Sequence, residues 1–341
     1  MPDLTALGPG KLLSCQVQPT AEWRDVIANR KIGPPDETAL LVVDAASADG
    51  SKVFASAVEN GETRVLMITG GRRHEILRLP KPQQAFGFDF DGRWLTFGIG
   101  YNPASQHLWT AHAWDSESTA EPFLVADNRE GHGGPWFFSH AHKGKAAWVQ
   151  GTGEAVEPHA VHLYDLATRT DRIIDLGPVD GPLFFGDLLL WRRLDLKSDT
   201  GRFKAVTLDG RDAGLPDALN QAQPDWYAAA DDRTVVWVTK DPRTLYAWRA
   251  DWPGVREIAR IEPGVQMPGM SFPKVSGDLV TWTSRTSFVT DLRTGATFHP
   301  DRMAHTMDVV GGAFVVSYNG AGGTAPPSVV PLGELPPLPS C

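Results

Sequence analysis

Seven short apolar strands follow tight turns along this chain. Aligning each strand on its turn puts Ala55, Phe97, Trp148, Trp191, Trp237, Trp282 and Val316 at one shared position. The intervals between them run from 34 to 51 residues. A repeat of that length, made only of strand-like pieces, is a unit that cannot bury its apolar face alone. Stacked copies of such a unit form a β-propeller. The expected fold is therefore all-β: a seven-bladed β-propeller with four-stranded blades, its ring closed by an N-terminal strand, with one short N-terminal helix. The repeat constrains architecture strongly and chemistry hardly at all.

One domain is expected over residues 1–341. Residues 1–35 supply the closing strand and the helix, 36–332 the blades, and 333–341 a proline-rich strap. The seventh unit lacks an outer strand, and Lys11–Val17 is the segment expected to supply it. Closure of that kind removes an exposed edge that would otherwise invite pairing with other chains. Between Pro19 and Ile32 the apolar residues Trp23, Val26 and Ile27 stand at helical spacing. Thr20 is placed to cap that helix, and Gly33-Pro34-Pro35 ends it. The fourth unit has a poor outer strand near Gly214–Leu219. Trp148, Trp191, Trp237 and Trp282 read as core between blades. Trp109 and Trp114 face opposite sides of one strand, so one of the two is expected to be exposed.

A net charge of -9 argues against a phosphate backbone as partner. No apolar run approaches the roughly 18 residues that span a bilayer, so no membrane span is expected. The start, Met1-Pro2-Asp3-Leu4, lacks the basic and apolar stretches of a leader. The two cysteines, Cys15 and Cys341, sit near the two chain ends. A closed ring brings the ends into one blade, so a disulfide is expected, and with it an oxidising compartment. The expected location is secreted, periplasmic or cell-envelope with a leader already removed, and a cytoplasmic location stays open.

Asp89-Phe90-Asp91-Gly92-Arg93-Trp94-Leu95-Thr96-Phe97 and Asp49-Gly50-Ser51-Lys52-Val53-Phe54-Ala55 resemble the blade motif of TolB-like and WD-repeat-like propellers. Glycine supplies the positive φ of the turn, and the aspartate side chain bonds the turn backbone. Later units replace Asp-Gly by Lys143-Gly144, Ser276-Gly277 and Gly311-Gly312. The Trp-Asp and Gly-His signatures of true WD repeats are absent. The resemblance implies the fold and, for a TolB-like protein, a bacterial extracytoplasmic protein that binds other proteins.

No catalytic motif emerges. The nearest nucleophile elbow, Gly269-Met270-Ser271-Phe272-Pro273, is broken by Pro273. His140 and His142 share a strand face by spacing and are able to offer two imidazoles, but they align with the turn aspartates Asp89 and Asp91. No metal and no cofactor is expected. Long loops on one rim, Tyr101–Gln106, Asp127–Pro135, Gly151–His159 and Asp195–Arg202, point to a binding surface on a rigid scaffold. The candidate ligand-binding residues are Tyr101, Asn102, His107, Arg129, His132, Trp136, Trp226 and His305, at that rim and the channel mouth. The function these predict is a monomeric binding or scaffold protein that recognises a protein, peptide or glycan. The alternative is a glycan hydrolase or lyase, for which Glu154 and Glu157 offer paired carboxylates.

Overall fold

The computed structural model describes residues 12–33, 40–102, 105–129, 140–152, 159–225, 227–262, 268–299, 306–320 and 323–340. Seven successive sheets, antiparallel within each repeat, make the chain a seven-bladed β-propeller. Two compact units divide it: Ala39–Leu215 holds the first four sheets, and Met1–Thr38 with Pro216–Cys341 holds the last three. Among the described residues no helix is long and apolar enough to cross a membrane.

The first sheet runs Leu40–Ala46, Val53–Glu59, Glu62–Thr69 and Arg72–Leu79. The second runs Gln84–Phe90, Trp94–Asn102, Ser105–Asp115 and Phe123–Asp127. The third runs His140–His142, Lys145–Gly151, His159–Asp165 and Thr170–Gly177. The fourth has Val179–Phe185, Leu188–Asp195 and Thr200–Thr207 alone. Its expected outer strand is instead the short helix Asp217–Asn220, preceded by Pro216. Proline has no N–H to give a ladder and favours a helix start.

In the other unit, the fifth sheet runs Ala228–Ala230, Thr234–Val238, Thr244–Arg249 and Arg256–Ile261. The sixth runs Ser271–Ser276, Leu279–Ser284, Thr286–Asp291 and Ala296–Phe298. The seventh has Thr306–Val310, Ala313–Gly320 and Gly323–Pro331.

The shared position holds, and register adds its partner. Phe97 faces His112, Trp148 faces His162, Trp237 faces Tyr246 and Trp282 faces Phe288. Each is a ring pair, from 4.1 Å between centroids at Trp282–Phe288 to 5.9 Å at Trp237–Tyr246. Cross-strand rings of this kind favour one register over a slipped one. The shared tryptophans are buried, as are Trp109 and Trp114. Both of the latter are covered because both flanks of the second sheet are packed. Trp109 meets Trp148 and Leu166 of the third sheet, and Trp114 meets Phe54 of the first. Each such burial contributes about 2–3 kcal/mol.

The turn aspartates do more than close turns. Asp91 accepts Arg93 N and Trp94 N on one oxygen, and on the other it accepts Gly144 N of the third sheet at 2.7 Å. Asp231 repeats this, holding Arg233 N, Thr234 N and Gly277 N of the sixth sheet. Two of the glycines that stand where earlier units have Asp-Gly, Gly144 and Gly277, therefore offer an N–H to the preceding sheet's carboxylate.

The N-terminal segment does not complete the seventh sheet through Lys11–Val17. Leu12–Leu13 pairs antiparallel with Ile261 and Arg260 of the fifth sheet, and Cys15–Gln16 pairs parallel with Ala296 and Thr297 of the sixth. Two short pairings divided at Ser14 each cover part of an open edge, one on the fifth sheet and one on the sixth. Helix α1, Ala21–Asn29, follows, and the Thr20 hydroxyl accepts Trp23 N. The chain then reaches the seventh sheet: Lys31 bridges Ser328, and Ile32 N and Val329 N bond Pro327 O and Arg30 O.

Helix α1 is held by Trp23, which is fully buried edge-on to Phe298 and Phe314. Its indole N–H donates to Pro336 O at 2.7 Å. The C-terminal residues are tied further by a fork from Arg30 to Glu334 and by Leu338 N donating to the buried Asp291 carboxylate.

Candidate functional site

The end of the second sheet brings together two of the sequence-predicted residues. The strand Trp94–Asn102 closes a hairpin at the Asn102–Ser105 pair, with a register irregularity between Gly100 and Asn102 that sets off Tyr101. Gly100 fits closely here: a Cβ at that position would meet the Phe86 ring at 3.2 Å, so a larger residue would press on that ring. On the outer strand, Asp127 forms a tight turn by accepting Arg129 N at 2.9 Å, and Asn128 N donates to Trp109 O. That turn folds the Arg129 guanidinium back onto the Asp127 carboxylate, Nε donating at 2.9 Å. The guanidinium then lies 5.5 Å from the centre of the Tyr101 ring. Arginine over an aromatic face is a favourable contact of about 0.5–1 kcal/mol at an exposed site.

Behind this pair stands a chain of polar contacts. The Tyr101 hydroxyl lies 3.1 Å from Thr110 Oγ1, which lies 3.0 Å from His112 Nε2. Burial pushes the His112 imidazolium down to a pKa of about 4, helped by the positive charge of Arg129. At neutral pH the ring is therefore uncharged. Its stacking on Phe97 at 5.7 Å, in the repeat position that Phe288 and Tyr246 fill in other sheets, marks it as a packing residue. Arg129 in turn holds the Asp127 carboxyl below the usual carboxylate range. From the third sheet, Gln150 Nε2 donates to Asp127 O at 3.0 Å, and Trp148 Nε1 donates to the Gln150 side chain. The result is a fixed tyrosine–arginine face beside the exposed Asn102.

His107 lies on the strand Ser105–Asp115. His132, Trp136, Trp226 and His305 lie outside the described residues, as do Glu154 and Glu157. His140 and His142 do not converge. His140 Nδ1 stands 3.7 Å from Asp89 of the second sheet, whereas His142 Nε2 bonds Gly186 O of the fourth at 2.7 Å. Among the described residues no group of three or more His, Cys, Asp or Glu side chains is placed to hold a metal. The expected loop Asp195–Arg202 is a four-residue turn between strand ends: Asp195 pairs Thr200 across it, and the Asp195 carboxylate caps it.

Sequence reasoning missed Thr110, His112, Asp127 and Gln150. The Asp127-x-Arg129 spacing was the readable signal, since an aspartate accepting the N–H two residues on is a common turn device. Thr110 and His112 alternate on one strand face, which is equally consistent with plain core.

No protein-family model matches the chain, and no curated protein matches it. Solved structures do. The β-propeller domain of the Trilobed protease from Pyrococcus furiosus, described as having an open velcro topology, is 13% identical with a TM-score of 0.57. The match covers 86% of this chain and 96% of that one. An oligogalacturonate lyase from Vibrio parahaemolyticus is 13% identical with a TM-score of 0.53, over 94% of this chain and 97% of that one. TolB from Acinetobacter baumannii is 15% identical with a TM-score of 0.48, over 80% and 74%. At these identities the likeness is one of fold: the chain is similar in architecture to the propeller domain of that protease and to the lyase.

Proposed function

We propose that this protein is a non-enzymatic binding propeller of the cell envelope or extracellular space, which holds a protein or peptide partner at the end of the second sheet. Tyr101, Asn102 and Arg129 are the contact residues. The observation that carries this reading is the Arg129 guanidinium fixed over the Tyr101 ring by Asp127. A face whose aromatic and cationic groups are already ordered loses little side-chain entropy on binding. Tyrosine and arginine are also the side chains that most often dominate such contacts. A photo-crosslinker at Asn102 tests it. Capture of a defined partner by the wild type should fall at least about tenfold in Tyr101→Ala and in Arg129→Ala. Undiminished capture in both variants rules the face out.

The extracytoplasmic part of the reading rests on a bond between Cys15 and Cys341. Cys15 packs on the same apolar cluster as Leu335 and Leu338. Cys341 itself lies outside the described residues. Alkylation of both thiols without prior reduction would disprove the bond.

A further inference from the structure

The first strands of the second, fourth and sixth sheets each carry a bulge at the same register. Phe86 pairs Gly98 and Asp89 pairs Thr96. Asp180 pairs Arg192 and Leu183 pairs Leu190. Ser271 pairs Thr283 and Lys274 pairs Thr281. The residues opposite the gap are Phe97, Trp191 and Trp282, the shared position of the repeat, so the bulges are equivalent. The residue that opens each one is left-handed: Gly87 at φ 62, Gly181 at φ 55 and Phe272 at φ 48. Glycine takes that conformation freely, whereas a bulky side chain clashes with its own backbone.

Phe272 thus stands where the repeat uses glycine, and burial does not account for it, because the residue is 44% exposed. Its ring meets Tyr227, at the entry to the fifth sheet, with centroids 4.8 Å apart and planes at 58°. The half-buried Tyr227 makes no side-chain hydrogen bond through its hydroxyl among the described residues. Beside the ring, the Ser271 and Thr283 hydroxyls are 2.9 Å apart, and Thr283 also donates to Ser271 O at 3.1 Å. The Ser271 hydroxyl is left with lone-pair capacity for a further donor. The charge on the same strand, Lys274, is paired with Asp308 at 3.0 Å. Strain retained in an exposed residue points to use rather than packing.

We propose that Phe272 and Tyr227 form a saccharide platform that takes a neutral β-linked pyranose. The C–H face of an all-equatorial ring stacks on the exposed aromatic, and its rim of hydroxyls meets the Tyr227 and Ser271 oxygens. The platform lies in the unit of the last three sheets and does not depend on the Tyr101 face, so either can fail without the other.

Cellobiose titrated into the full chain tests this, read by calorimetry and by saturation transfer to the sugar. The wild type binds. Phe272→Gly binds at least about tenfold more weakly yet melts no lower than the wild type, because glycine relieves the left-handed backbone. Phe272→Trp keeps the platform and keeps binding, and Tyr101→Ala binds cellobiose as the wild type does. Three results overturn the proposal: no transfer from the wild type to cellobiose, equal binding by Phe272→Gly, or a lower melting temperature in Phe272→Gly, which makes the ring structural.

Discussion

The second and sixth sheets follow one plan and diverge at two places. At the repeat's ring pair, the sixth sheet stacks Trp282 on Phe288 at 4.1 Å and 10°, while the second stacks Phe97 on His112 at 5.7 Å and 18°. At the bulge, the second uses Gly87 and the sixth uses Phe272. The two departures carry opposite lessons. A histidine in a ring-stack position is still a packing residue, so its chemistry is suppressed by burial. A phenylalanine in a glycine position gains little packing and costs backbone strain, so its chemistry is what the position retains.

The largest expected effect tests the ring pairs. Trp282→Ala should cost about 4–5 kcal/mol and Phe97→Ala about 3–4 kcal/mol, since both empty a closed site and the tryptophan leaves the larger cavity. Urea unfolding of the two variants measures this. An equal or reversed order would mean that the tighter stack of the sixth sheet carries no extra stability.

The tryptophans were readable because a large apolar residue recurred at a fixed offset from a turn. Their partners were not, because the register across the hairpin depends on loops of very different length: the turn at Asn60-Gly61 is short, whereas the connection from Gly151 to His159 is long. The turns themselves were legible in Asp91-Gly92, but the second oxygen of Asp91 reaching Gly144 N is a contact between sheets, invisible to a local motif. The Lys143-Gly144 and Ser276-Gly277 departures then look like loss of the pattern, although they complete it. At the Tyr101 face, loop length pointed to the region, but only the fold of Asp127 brings Arg129 over the ring. In the sequence Phe272 is only the residue between Ser271 and Pro273 in a broken nucleophile elbow; its meaning depends on φ, which the residue type alone conceals.

The second test concerns acid. The His112 pKa of about 4 in the fold lies below its ordinary 6.5, so the fold favours the neutral ring. As pH falls, the unfolded chain takes up this proton first. The contribution is therefore complete above about pH 6.5 and is lost as pH drops towards 4. His112→Phe reproduces the residue of the sixth sheet and removes the titration. Between pH 7 and 4 the wild type should lose roughly 2 kcal/mol more than His112→Phe. Parallel pH profiles for the two proteins would show that the second sheet tolerates a charged ring at this position.

The smallest effect isolates the bulge. Gly181 is left-handed at φ 55, and a Cβ added there meets nothing within 4 Å. The cost of Gly181→Ala is consequently backbone strain alone, about 1 kcal/mol, with no steric contribution from neighbours. Thermal unfolding of this variant calibrates what the sixth sheet tolerates at Phe272. A loss near that size means that the strain at Phe272 is comparable and must be offset by its ring or its use. No loss would mean that the bulge accommodates a side chain freely, and the contrast between Gly87 and Phe272 would then carry no weight.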